Sequence, residues 1–362
     1  MVCTSDPAVT YAYYLPTTYT SEKRWPILYI FDPRQRGAFA AGLFRDAAEQ
    51  YGWILVSSNN TRSDADLAPN IRALEATIPD AQRRFAVDHR RIYAGGFSGG
   101  AVLAWALGRT DDRMTGVIGC SGRPIDPNAP EHRVRFDWFG TAGIRDFNYL
   151  ETLELDRGLT EAKGGHRVEI FDGGHRWAPP ALLKRGVEWL EVQAMKRGLR
   201  ERDDAVVKPL YEADLAAARA DADPISAVRR YETMVRTFDG LLNVDEPRTR
   251  GAELRKSRRF ARAVEEERRA EKLERSSVQK MFAIISSFVQ NDDMPMAPTL
   301  AHDLQISRLQ KLAFGSGYEA AAAQRVLEST WVQLDFYVAR QLSGQKLVVV
   351  KQVAALIHPK PR

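Results

Sequence analysis

One pentapeptide constrains the fold of this chain more than any other segment: Gly96-Phe97-Ser98-Gly99-Gly100. It follows an apolar, strand-like run at 91–94 and precedes a helix-like stretch at 101–107. A serine in such a strand-turn-helix segment occupies a strained turn that exposes its hydroxyl, and glycines on both sides leave room for the chain. The pattern predicts that Ser98 is a nucleophile.

The first part of the chain, residues 1–198, alternates β-branched and aromatic runs with helical stretches. This alternation is typical of a mostly parallel sheet covered by helices on both faces, so we expect an α/β fold. The predicted strands are 11–15, 26–31, 53–57, 91–97, 115–120, 134–140 and 167–171. The predicted helices are 39–50, 67–85, 101–109, 149–164 and 181–196.

The remainder, residues 199–362, is predicted to be a separate all-helical domain. Its β-branched runs nearly vanish, and Ala, Leu, Arg and Glu recur at helical spacing. Five breaks predict about five or six helices, arranged as a bundle or as tetratricopeptide-like pairs. These breaks are at 223–224, 240–247, 291–298, 315–317 and 344.

A serine hydroxyl needs a histidine to accept its proton and a carboxylate to orient that histidine. Of the six histidines, His175 follows a predicted strand directly, at the sheet edge where Ser98 emerges. We therefore predict His175 as the base. Each of the other histidines is placed less favourably. His89 precedes the strand of Ser98, His166 begins a later strand and His132 lies in a Pro-rich loop. His302 and His358 belong to the helical half.

The orienting carboxylate is expected between Ser98 and His175, after the predicted strand 134–140. Asp146 is the acidic residue at that point. Asp137 and Asp156 are weaker candidates because they fall inside a predicted strand and helix. The fallback is Asp172, which stands close to the histidine in sequence.

Two backbone N–H groups should stabilise the developing oxyanion. Gly99, directly after the nucleophile, is predicted to supply one. The second is expected from the loop after strand 26–31, where Pro33 has no N–H. Arg34 is the predicted donor, with Gln35 as the alternative; the segment could also be only a strand-to-helix connection.

With Ser98, Asp146 and His175 in this chain order, residues 1–198 resemble an α/β-hydrolase. The segment Gly174-His175-Arg176-Trp177 is similar to the feruloyl esterase, polyhydroxybutyrate depolymerase and dienelactone-hydrolase-like branch. The resemblance implies a serine esterase that works through an acyl-enzyme. One departure is that these esterases usually carry a His-Gly motif where this chain has Asp32-Pro33.

Aromatic and basic residues on the same predicted loops suggest the substrate. Phe97, Phe147, Tyr149 and Trp177 are predicted to line a pocket for an aromatic group, with core packing as the alternative. Five arginines favour a small ester that carries an anionic group. They are Arg34, Arg36, Arg62, Arg145 and Arg176.

The net charge of +5 comes largely from residues 246–275, which carry eleven basic and seven acidic residues. This mixture predicts a solvated helix face and no nucleic-acid partner. Two cysteines exclude a disulfide framework, and no ligand spacing indicates a metal or another cofactor. No run is long enough for a membrane span. We expect a cytoplasmic protein by default, or a secreted or periplasmic one if a leader is removed.

Two alternatives to an esterase remain open at this stage. A triad does not distinguish ester from amide hydrolysis, so a serine peptidase is one of them. The other is a scaffold or binding protein in which the helical half is the functional part. That half could also recruit a protein partner or self-associate.

Overall fold

The computed structural model describes residues 1–63, 67–122, 134–291 and 295–358. Contacts divide the chain into two compact units. The first comprises 1–143, 148–171 and 175–254, and the second comprises 144–147, 172–174 and 255–362. Residue 198, after which the sequence predicts a domain boundary, lies within the range 175–254 of the first unit. That boundary stays a prediction.

The first unit is built on a seven-stranded sheet in which only β1 is antiparallel to its neighbour. The strand order is β1-β3-β2-β4-β5-β6-β7. The strands are Tyr11–Tyr14 (β1), Trp25–Phe31 (β2), Ile54–Ser58 (β3), Val87–Phe97 (β4), Met114–Cys120 (β5), Asp137–Gly143 (β6) and His166–Phe171 (β7).

Helices cover both faces of this sheet. In β2, Ile27 and Tyr29 belong to the core cluster under one face, and Leu28 and Ile30 to the cluster under the other. This alternation follows from the two-residue period of a strand. The helices of the first unit are Gly37–Tyr51 (α1), Leu67–Arg84 (α2), Gly99–Thr110 (α3), Tyr149–Glu161 (α4), Pro180–Lys196 (α5), Asp204–Ala220 (α6), Pro224–Phe238 (α7) and Asp245–Arg255 (α8), which ends one residue into the second unit.

The strand order reverses between β2 and β4, since β3 pairs with one side of β2 and β4 with the other. The loops that follow β2 and β4 therefore lie side by side at the carboxyl edge of the sheet. In open parallel sheets this reversal point is where ligands bind. The sheet, its helices and the serine turn after β4 have the arrangement of an α/β-hydrolase, so the predicted fold class is confirmed.

The second unit contains five helices among its described residues, with a π-helical segment, Val332–Val338, directly after α12. Its core is built from Met281, Ile285, Leu300, Val326 and Val350, among others. The helices are Arg258–Gln290 (α9), Ala297–Asp303 (α10), Ile306–Ala313 (α11), Tyr318–Trp331 (α12) and Gly344–Ile357 (α13).

Two details of the sequence-based prediction were wrong. Strand β6 covers Asp137–Gly143, whereas 134–140 was predicted. Its last residues are small and have no strand-like pattern in the sequence, and in the structure the Trp138 ring covers Gly140. After residue 198 the described chain forms eight helices where five or six were expected. The additional boundaries have no Gly or Pro: the Ser257 side chain caps α9, and Gln305 adopts φ 56° before α11.

The charged segment of α9 carries ion pairs on its exposed surface. Glu265 pairs with Arg268, and Glu271 pairs with Arg275, one helical turn apart. These pairs agree with the predicted solvated face. Within the described ranges, no helix combines the length and apolar character that crossing a membrane requires.

Candidate active site

Ser98 lies in the turn between β4 and α3 with φ 53°, a left-handed conformation that is strained for a residue with a side chain. The flanking glycines make the turn possible. A Cβ on Gly96 would lie 2.1 Å from the carbonyl oxygen of Gly100, and one on Gly100 would lie 2.0 Å from that of Phe31. The backbone is therefore packed too closely for any larger residue at either position.

His175 faces the serine from the loop after β7. Its Nε2 lies 3.0 Å from Ser98 Oγ, within hydrogen-bond distance. The imidazole packs against the Phe97 ring with centroids 4.8 Å apart, which restricts its orientation. A nucleophile and its general base require a hydroxyl and an imidazole at such a distance.

Three of the other described histidines are engaged elsewhere, and His89 is an exposed residue of β4. In His166 the two ring nitrogens contact Thr160 and the carbonyl of Gly164, beside Asp156. His302 pairs with Asp303 and His358 pairs with Glu328, both in the second unit. His132 lies outside the described residues.

Asp146 follows β6 by three residues and is fully buried. It belongs to the short segment 144–147 of the second unit. Within that unit, the N–H of Arg145 donates to the carbonyl of Gly173 at 2.9 Å, and its guanidinium pairs with Asp172. Asp172 is therefore exposed and in an ion pair, which disfavours it as the orienting acid.

The weaker acid candidates lie away from this edge. Asp137 begins β6 at the opposite end of the strand and pairs with Arg197, and burial raises its pKa. Asp156 lies on α4; burial opposes its ionisation, but His166 and Arg229 keep its pKa below the ordinary value.

A buried hydrogen-bond network, which no sequence pattern indicates, occupies the end of β2. Asp32 is fully buried and accepts hydrogen bonds from the indole N–H of Trp177 at 2.8 Å and from the Arg36 guanidinium. It also accepts one from the backbone N–H of Arg34 at 2.8 Å. In this conformation the Arg34 N–H is thus engaged by a carboxylate, which counts against its predicted role in the oxyanion hole.

Ser63 is a further residue that the sequence did not indicate. It follows β3, and its N–H donates to the carbonyl of Pro33 at 3.1 Å. A Cβ on Gly99 would lie 2.1 Å from Ser63 Oγ, so the hydroxyl directly borders the residue after the nucleophile. The Oγ is buried and has no hydrogen-bond partner among the described residues.

The four aromatic residues predicted to line a pocket are found in three settings. Phe97 and Trp177 are buried and pack on each other with centroids 5.8 Å apart. Tyr149 begins α4 and packs against the core under the other face of the sheet. Phe147 is partly buried in the second unit.

The predicted arginines also differ in their environments. Arg36 is bound to Asp32, and Arg145 to Asp172, whereas Arg176 is exposed. Arg34 and Arg62 face each other in an isolated antiparallel bridge, both with exposed side chains. Residues directly opposite in such a bridge project to the same side, so two positively charged side chains start from one side of the backbone.

Neither a scan of protein-family models nor a search of curated proteins returns a match for this chain. A search of solved structures finds a ferulic acid esterase at 17% identity, covering 50% of this chain and 91% of that one, with a TM-score of 0.41. An esterase from Thermogutta terrifontis is 15% identical, and the match covers 54% of this chain and 92% of that esterase with a TM-score of 0.41. The Pyrococcus horikoshii acylaminoacyl peptidase is 13% identical, and the match covers 54% of this chain and 40% of that peptidase with a TM-score of 0.38. At these identities the likeness concerns the fold alone.

Proposed function

We propose that this chain is a serine hydrolase that cleaves small carboxylic esters through a Ser98 acyl-enzyme. The observation that carries the proposal is the 3.0 Å approach of His175 Nε2 to Ser98 Oγ at a strained turn. A strained, partly exposed serine in contact with an imidazole has a cost in stability that a purely structural role does not explain. Ser98 also follows a strand at the strand-order reversal, the place where open parallel sheets usually bind ligands.

In the first half-reaction, Nε2 of His175 accepts the Ser98 proton as Oγ attacks the carbonyl carbon. The tetrahedral intermediate collapses, the bond to the alcohol oxygen breaks, and the imidazolium donates its proton to that oxygen. In the second half, water attacks the acyl-enzyme while His175 takes its proton, and the acid leaves as Ser98 regains a hydrogen. No cofactor is required by these steps.

Asp146 is proposed to orient His175 and to stabilise the imidazolium. Its support is its position three residues after β6 and its complete burial. A buried carboxylate requires a positive or hydrogen-donating partner, and the imidazolium formed during the reaction is such a partner. Asp172, exposed and paired with Arg145, lacks this need.

Gly99 is proposed as the backbone donor to the oxyanion. As the first residue of α3 it belongs to the turn whose N–H groups have no intrahelical acceptor. We propose the Ser63 hydroxyl as the second donor, because it borders Gly99 and its Oγ has no hydrogen-bond partner within the described ranges. Arg34 could serve only after its N–H leaves Asp32.

The substrate is proposed to carry a carboxylate or another anionic group. Arg34 and Arg62 place two exposed positive charges together, which is unfavourable without a counter-charge. Ser63, the next residue after Arg62, links this pair to the Gly99 turn. An aromatic acyl or alcohol group could pack beside Phe97, whose ring contacts His175.

A fluorophosphonate probe tests the reaction class, because it labels only an activated serine. We expect labelling of the wild type and none of Ser98→Ala. Matched p-nitrophenyl esters and p-nitroanilides then distinguish an esterase from a peptidase, and ester turnover should dominate. A folded wild type that is not labelled would favour the scaffold alternative.

A further inference from the structure

The segment that carries the proposed catalytic acid is held by a buried arginine from the far end of the chain. Arg325 lies on α12, and its Nη1 donates to the carbonyl oxygen of Ile144 at 2.9 Å. Asp146 follows two residues later. The contact lies within the second unit, to which residues 144–147 and 255–362 both belong.

Arg325 is itself fixed by a buried ion pair. Its Nε and Nη2 donate to the Glu274 carboxylate on α9, at 2.9 Å and 2.7 Å. Both side chains are only 5% exposed. A guanidinium is planar, so binding a carboxylate along one edge fixes the direction of its remaining N–H groups. Here one of these N–H groups donates to the Ile144 carbonyl oxygen.

A buried ion pair is seldom retained for stability, because removing two charges from water offsets most of their attraction. A pair that also binds a loop carbonyl has a second role available. The loop has a further anchor at the next residue, where the Arg145 N–H bonds to Gly173. The backbone is thus held at both positions that precede Asp146.

We propose that Arg325 is a positioning residue that fixes the Ile144–Phe147 segment, so that the helices α9 and α12 set the place of Asp146. This inference rests on the proposed function, in which Asp146 orients His175. It assigns the helical part of the chain a role in catalysis: a fault in the Glu274–Arg325 pair would displace the acid without touching Ser98 or His175.

The test removes the pair and keeps the packing. In the full chain, Glu274→Met with Arg325→Met replaces two buried charges by apolar side chains of similar length, a change that cores generally tolerate. We expect kcat for a p-nitrophenyl ester to fall about 10- to 100-fold with KM nearly unchanged, as for a small misplacement of a catalytic group. Arg275→Met, on the exposed side of α9, is the matched control and should keep wild-type kcat.

The decisive measurement is a double-mutant cycle with Asp146→Asn. If the pair acts through the acid, its removal in the Asp146→Asn background should change kcat less than about 2-fold, since the effect is already lost. An equal loss in both backgrounds would show a general structural role and overturn the proposal. An unchanged kcat in the wild-type background would overturn it as well.

A single conservative variant covers the case in which the paired change prevents folding. Arg325→Lys keeps the charge beside Glu274 but cannot supply the fork that also reaches Ile144. We expect it to fold, to bind substrate with wild-type KM and to lose at least about 5-fold in kcat, again only when Asp146 is present. Wild-type kcat in this folded variant would contradict the proposal. Loss of labelling in Ser98→Ala tests the proposed function separately, so either idea can fail alone.

Discussion

The indole N–H of Trp177 donates a 2.8 Å hydrogen bond to Asp32 Oδ2, which connects the loop of His175 to the loop after β2. Both loops border Ser98 at the carboxyl edge of the sheet. Trp177 therefore connects the loop of the proposed base to the loop after β2, in addition to packing on Phe97 and Phe44.

Trp177→Phe should weaken both stability and turnover. The substitution leaves the Asp32 carboxylate with one donor fewer, and a lost hydrogen bond to a buried charge costs about 1.5–3 kcal/mol. We expect the free energy of unfolding in urea to fall by that amount and kcat to fall several-fold.

Trp189→Phe is the matched control, because its indole also donates a buried hydrogen bond, to Thr237. It should lose stability but keep kcat per folded molecule. Equal effects of the two substitutions on kcat would mean that Trp177 does not link the loops.

Asp32 also predicts how stability varies with pH. Burial opposes ionisation of this carboxyl, but hydrogen bonds from Arg36 and Trp177 outweigh it and hold its pKa below the ordinary value. Because the folded pKa is depressed, the stabilisation is fully present above the unfolded pKa of about 4 and is lost as the pH falls through the folded value.

Asp32→Asn removes this contribution while it keeps the side-chain shape. In urea unfolding between pH 3 and pH 6, the wild type should exceed the variant most at pH 6, and the gap should narrow at pH 3. Parallel curves across that range would contradict the assigned pKa direction.

Ser63→Ala tests the second oxyanion donor. Removal of one such donor costs about 10²-fold in kcat in well-studied sites. A hydroxyl that only fills space would leave kcat unchanged, since the Ser63 Oγ has no partner among the described residues. Ser57→Ala is the control, because its hydroxyl is buried in β3 beside the Ile30 carbonyl.

We expect kcat to fall at least 10-fold in Ser63→Ala with KM within about 2-fold of the wild type, the signature of a contact made only in the transition state. Wild-type kcat would return the second donor to the loop after β2, with Arg34 and Gln35 as candidates.

The glycines of the serine turn predict a steric limit. A Cβ on Gly96 would meet the Gly100 carbonyl at 2.1 Å, and backbone atoms cannot yield as a flexible side chain can. Gly96→Ala should therefore lower the unfolding free energy by about 1–3 kcal/mol or more and abolish labelling by the fluorophosphonate probe. Gly42→Ala, in α1 with open space around it, should be neutral or stabilising.

The sequence could predict that Ser98 and His175 lie together, because this proximity depends on local pattern and topology. Ser98 stands between a strand and a helix. Because parallel strands have their carboxyl ends at one edge of the sheet, the loop that carries His175 lies at the same edge as Ser98. The sequence could not show that Asp32 engages the Arg34 N–H, because a side chain that turns back on its own loop leaves no periodic signal.

Long-range contacts were equally hidden. Arg325 and Ile144 are 181 residues apart, and nothing in the helical pattern of α12 indicates that this arginine is buried or that it reaches Ile144. The same limit applies to Ser63, which becomes notable only when the β3 loop is folded against Gly99. Burial and partners, which only the fold provides, separate such residues from the rest.

The Arg34 and Arg62 pair predicts a preference for anionic esters. A p-nitrophenyl butyrate and the half-ester p-nitrophenyl succinate have acyl chains of equal length and differ in a terminal carboxylate. Each exposed charge contact contributes up to about 1 kcal/mol, so the wild type should favour the succinate by about 10-fold in kcat/KM at low salt.

Arg34→Gln with Arg62→Gln should remove this preference and leave kcat/KM for the butyrate unaffected. High salt should also remove the preference of the wild type for the succinate, since 1 M salt shortens the screening length to about 3 Å. Equal kcat/KM for the two esters at low salt would show that the paired charges do not select the substrate.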